Sequence, residues 1–204
     1  MTRRLALHEP LAAASRLEGT AASIRGLAWA EPTVLAFLGF AAAYLTLFVD
    51  LDFRLPGHAI LRSVFPFALG LALVPRRGAG TVMGSAALAG MLVGGTVHGA
   101  PGWGGATSLV LMGPALDFAV RGARSGKGVY LALVAAGVAV NLVAFAVRLG
   151  ARIVAPGGGR TMASWLPEAA ITYPCCGALA GALAAAVWFR AAAPEDGGGG
   201  GGRP

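Results

Sequence analysis

Six apolar segments, parted by short charged or Gly/Pro-rich breaks, take up most of this chain of 204 residues. They are Pro32–Val49, Ala59–Pro75, Ala79–Val97, Gly104–Val120, Val129–Leu149 and Leu166–Phe189. A helix of about 20 apolar residues crosses the hydrocarbon core of a bilayer. So little chain remains outside these segments that no soluble catalytic domain fits. Only 12% of the residues are charged, against about 25% in a soluble domain. The pattern predicts an all-α, polytopic membrane protein, a bundle of six transmembrane helices, and any activity is expected within the bilayer or at its two surfaces.

The net charge of +7 does not point to nucleic acid. The Arg residues sit at segment ends and form no basic stripe interleaved with aromatics. Placement at segment ends is what membrane topology demands, because Lys and Arg accumulate on the cytoplasmic side. With both termini cytoplasmic, Arg3, Arg4, Arg16, Arg25, Arg76, Arg77, Arg121, Arg124, Lys127, Arg190 and Arg203 lie inside, eleven of the 16 Lys and Arg residues. The outer side then holds Arg54, Arg62, Arg148, Arg152 and Arg160. The expected localisation is a cell membrane, of the bacterial inner or plasma type.

Three regions follow. Residues 1–31 form a cytoplasmic or interfacial leader, either an amphipathic helix lying at the surface or a disordered arm, with no continuous apolar core of a signal peptide. Residues 32–190 form the membrane domain. Residues 191–204 include Gly197–Gly202 and are expected to be a disordered tail.

Several residues depart from plain lipid-facing helix. The loop from Asp50 to His58 packs Asp50, Asp52, Arg54 and His58 together beside the outer face. It is either an ordinary solvated loop or a rim over a ligand pocket, with Asp50 placed to pair with Arg62. Arg62 either snorkels to the interface or belongs to a polar outer site. Trp103 is an interfacial anchor or a stacking platform. Asp117 is expected to pair with Arg121 at helical spacing four. Asn141, a lone amide within a segment, hydrogen-bonds across the bundle or lines a cavity. Glu168, Arg148 and Arg152 fall on the outer side too. The candidate substrate-binding residues are therefore Asp50, His58, Arg62, Trp103, Asn141, Arg148 and Glu168. Adjacent Cys175 and Cys176 read as small apolar helix residues, since helical neighbours diverge and no other Cys exists.

Small residues recur at spacing four: Gly39 and Ala43, Gly80 and Gly84, Gly90 and Gly94, Gly177 and Gly181. Such pairs let helices approach closely, within the chain or with a helical partner. The sequence lacks His-Glu-x-x-His, a Gly-x-Ser-x-Gly elbow and a phosphate-binding Gly-rich loop with Lys then Ser or Thr. No metal or cofactor site and no enzymatic role are expected.

With this size, helix number and orientation, and with Leu55-Pro56-Gly57-His58 leading to Pro66 and Pro75, the chain resembles the substrate-binding S components of energy-coupling factor (ECF) transporters. The Gly78–Gly94 stretch and Leu111–Asp117 add to the likeness. The resemblance covers residues 32–190. It implies capture of a small molecule such as a vitamin beneath the first outer loop. It also implies a transmembrane coupling subunit and ATPase subunits as partners, docked where Gly39 and Ala43 match the family's small-residue surface. The N-terminal His motif of the metal-binding branch is missing from Met1-Thr2-Arg3, which argues against nickel or cobalt. The competing expectation is a non-catalytic scaffold or assembly subunit of a larger membrane complex.

Overall fold

A computed structural model describes residues 29–49, 55–74, 76–98, 102–122, 126–155 and 161–192. These residues contain six helices and no strand: α1 (Ala30–Phe48), α2 (Ala59–Leu73), α3 (Ala79–His98), α4 (Trp103–Gly122), α5 (Gly126–Val154) and α6 (Met162–Ala192). Over the described residues the protein is all-α, a six-helix membrane bundle. Helices α1, α3, α5 and α6 are long and apolar enough to cross a bilayer. The leader up to residue 28 and the tail from 193 lie outside the described residues.

Two features of the helices matter for function. At 15 residues, α2 rises only about 22 Å, well short of the ~30 Å hydrocarbon core. Yet it is the most enclosed helix, burying Ile60, Val64, Phe67, Ala68 and Leu71. It sits between α1 and α6 and also reaches α4 and α3, while α3 joins α1 to α4 and α5 joins α4 to α6. Conversely, α5 and α6 run to 29 and 31 residues, longer than the apolar runs that announce them. The extra turn of α5 puts Arg152 on the helix rather than in a loop, one turn beyond Arg148.

Small residues set the crossings. A Cβ at Gly80 of α3 would collide with the Gly113 carbonyl of α4, and one at Gly113 with the Gly80 carbonyl. The α5–α6 crossing repeats the device with Gly137 against Gly177, and Gly181 against the Leu133 carbonyl. Without Cβ atoms the backbones come close enough for van der Waals packing to hold helices that no hydrophobic effect drives together in lipid. Pro114 cannot donate to the carbonyl of Val110, and that carbonyl faces Gly84 of α3 at 3.0 Å from where a Cβ would stand.

Gly39 and Ala43, expected as a docking pair, use the same device within the chain. A Cβ at Gly39 would strike the Met83 carbonyl and Ala86 of α3. Ala43 is buried and approaches Gly90 of the same helix. At these two positions the close approach is made by the chain's own α3.

One end of the bundle is tied by charge. Arg76, in the turn before α3, pairs with Glu31 in the first turn of α1. Asp117 does not turn to Arg121. Its buried carboxylate accepts from the backbone N–H of Gly80 (3.0 Å) and Thr81 (2.8 Å) and from the Thr81 hydroxyl (2.8 Å). The residue preceding α3 is Gly78, with φ +87° and no side chain to cap with. The N-terminal amides of α3 need an acceptor, and a carboxylate also suits the positive end of the helix dipole. Asp117 supplies that cap from the neighbouring helix.

Candidate functional site

The opposite end carries the turn before α2, the start of α4, the end of α5 and the start of α6. Between them lies a cavity of about 300 Å³, lined among others by Leu55, His58, Gly104, Arg148, Arg152, Trp165 and Tyr173. It stands above the N-terminus of the short helix α2.

The turn that forms one wall is held from three sides. Gly57 has φ +85°, a left-handed conformation open to glycine at no steric cost. A Cβ there would also lie 2.9 Å from Cγ of Tyr173. The Asn141 side chain, wholly buried on α5, donates to the Gly57 carbonyl at 3.1 Å and to the Tyr173 carbonyl at 2.7 Å. Its Oδ1 accepts from the Ser108 hydroxyl of α4 at 3.2 Å. Both amide hydrogens are thus spent on backbone carbonyls, and one side chain ties the turn, α4, α5 and α6 together. Asn141 therefore takes the cross-bundle role, and shapes the pocket from behind.

His58 follows the turn. Its Nδ1 donates to the Leu55 carbonyl, which can only accept, so Nε2 is the acceptor for Arg62 Nη2 at 3.0 Å. Arg62 Nη1 donates to the Thr46 carbonyl at 3.4 Å, in the last turn of α1, where carbonyls lack helical partners. Arg62 thus faces α1 and supports His58 rather than lining the cavity.

On the far wall, Arg148 and Arg152 stand one turn apart. The Arg152 guanidinium lies 4.4 Å from the Trp165 ring centroid, within cation–π range. Phe145 packs behind, its ring centroid 5.9 Å from Trp165 and 5.3 Å from Tyr173. Trp165 and Tyr173 are buried at 2% and 3% exposure, so this wall is a fixed aromatic base carrying two cations. A Cβ at Gly104 would lie 3.0 Å from the Tyr173 hydroxyl and 3.4 Å from Arg148 Cδ. The glycine therefore leaves room for both groups at the start of α4.

Of the candidate residues, His58 and Arg148 meet at the cavity, with Asn141 and Arg62 as their supports. Trp103 is 71% exposed and is not part of the lining. Glu168 is half-buried on α6, also off the lining. Asp50 and Arg54 lie outside the described residues. Trp165, Tyr173, Ser108 and Gly104 had not been singled out as pocket residues. Trp165 and Tyr173 lie eight residues apart on one helix, spacing that sets them on one face. Among the described residues no group of three His, Cys, Asp or Glu is placed to hold a metal. No family model, curated protein or solved structure matches the chain.

Proposed function

We propose that this chain is a membrane-embedded binding subunit that captures a small molecule at the outer face for an ECF-type, ATP-driven importer. The observation that carries the reading is the cavity at one end of the bundle. It combines an aromatic base with a few convergent polar groups, the usual make-up of a small-molecule site. Orientation by positive charge puts that end outside, since Arg76, Arg77 and Arg121 lie at the other. The chain carries no nucleotide-binding motif, so the energy for import belongs to ATPase subunits, reached through a transmembrane coupling subunit. Because α3 covers Gly39 and Ala43, the docking surface for that subunit lies elsewhere on the bundle.

The test is purification of the tagged chain from its source membrane in a mild neutral detergent. The reading expects co-purification of an integral membrane coupling subunit together with ATPases carrying phosphate-binding loops, and ATP hydrolysis by the complex. Recovery with structural subunits of another assembly, and no ATPase, would favour a scaffold role.

A further inference from the structure

The chemistry of the cavity wall narrows what it can take. Among the described residues that line it there is no Asp and no Glu. Two guanidiniums, Arg148 and Arg152, share the wall at spacing four on α5, an arrangement of like charges that costs stability on a helix. Arg152 is engaged with the Trp165 ring. Among the described residues, Arg148 makes no hydrogen bond or ion pair, and the Tyr173 hydroxyl makes no hydrogen bond. The Tyr173 hydroxyl and Arg148 Cδ approach one point beside Gly104, and Arg148 Nη1 lies two residues away in sequence, beside Gly102. The Arg148 fork and the Tyr173 hydroxyl can donate side by side, while Trp165 and the Leu55–Ala59 turn offer apolar surface. Guanidinium donors match the geometry of a carboxylate or phosphate and bind it more strongly than neutral donors do.

We propose that the cavity is selective for a small organic anion. Its carboxylate or phosphate group sits on Arg148 and the Tyr173 hydroxyl, and its apolar body lies against Trp165 and the turn before α2. The anion also relieves the repulsion between Arg148 and Arg152. A volume of about 300 Å³ is at the small end of ordinary ligand sites, so the occupant is a compact molecule or the headgroup of an anionic lipid. This inference rests on the binding reading above and specifies its substrate class.

The test uses the full chain in neutral maltoside micelles, with melting temperature read against four probes: benzoate, phenyl phosphate, benzamide and benzylammonium. The two anions are expected to raise the melting temperature with increasing concentration, and the amide and the cation to leave it unchanged. Arg148→Gln should raise the half-effective anion concentration at least ten-fold, while Arg148→Lys, which keeps the charge, recovers part of the response. Trp103→Gln, off the cavity, should match the wild type. Equal responses to all four probes, no response to either anion, or an anion response intact in Arg148→Gln would overturn the proposal. Nanodiscs separate the two sources of the anion. If phosphatidylglycerol discs abolish the benzoate response seen in phosphatidylcholine discs, a lipid phosphate occupies the site; equal responses assign it to a soluble anion. Tight retention of a neutral compound, lost in Gly104→Val, would sink the anion class and leave the binding reading standing.

Discussion

Asn141 gives the sharpest test of how the pocket is built, because two substitutions of similar size act in different ways. The side chain is 0% exposed and makes three hydrogen bonds, of 2.7, 3.1 and 3.2 Å. Side-chain hydrogen bonds in membrane helices average ~0.6 kcal/mol and reach ~1.7. Asn141→Leu removes all three and leaves the Ser108 hydroxyl without this acceptor, so a loss of about 2–3 kcal/mol is expected. Asn141→Asp keeps the shape but replaces the Nδ2 donor with a carboxylate oxygen, 2.7 Å from one carbonyl and 3.1 Å from another. Repulsion and burial of an unpaired charge then add to the lost bonds. Asp should therefore be worse than Leu. Part of the deficit should return as pH falls, when a protonated carboxyl can donate once. The assay is reversible unfolding in mixed maltoside and dodecyl sulfate micelles, followed by far-ultraviolet circular dichroism. Asp no worse than Leu, or both within about 0.5 kcal/mol of wild type, would refute the hub.

The other predictions concern the crossings, the cap and the orientation. Asp117→Ala should cost about 1–2 kcal/mol in the same assay, the range for a lost helix cap, and an unchanged midpoint would mean that α3 does not depend on this carboxylate. Gly181→Leu should abolish monodisperse folded protein, since a Cβ there meets the Leu133 carbonyl, whereas Gly150 has open space around it; Gly150→Ala should stabilise by about 0.5–1 kcal/mol, and the reverse ranking would contradict the packing. In a background with both native cysteines replaced by serine, Ala155→Cys should react with an impermeant maleimide added outside, and Arg77→Cys should not; the opposite pattern inverts the bundle.

The fold was legible because membrane burial writes itself plainly into sequence. Six apolar runs became six helices, within a few residues at most ends. Among the described residues, charge at the segment ends sets Arg76, Arg77 and Arg121 apart from Arg62, Arg148 and Arg152, as the two ends of the bundle do. Less legible was the partner of each polar group. Asp117 has an Arg at spacing four, a local cue, yet it caps a helix whose start is 37 residues away in sequence. Asn141 reads as a cross-bundle hydrogen bonder, with cavity lining as the alternative, and only the position of the Gly57 and Tyr173 carbonyls decides between them. The Gly39 and Ala43 pair has the spacing of a docking surface, but such spacing says that a helix approaches, not whose helix it is. Within the pocket, His58 and Arg148 stand out in sequence as polar side chains, whereas nothing in the sequence sets Trp165 and Tyr173 apart from other aromatics of an apolar helix.

On the proposed function, the cavity between Leu55, Gly104, Arg148 and Tyr173 captures a small molecule. Native mass spectrometry tests it most directly. The full chain is released from neutral detergent micelles after incubation with a metabolite extract of its source cell, beside Arg148→Gln and Gly104→Val. Circular dichroism first confirms that the variants keep their helix content. One discrete, non-lipid adduct is expected on the wild type, and both variants should lose it. An adduct of equal occupancy on all three proteins, or none on the wild type, would contradict it.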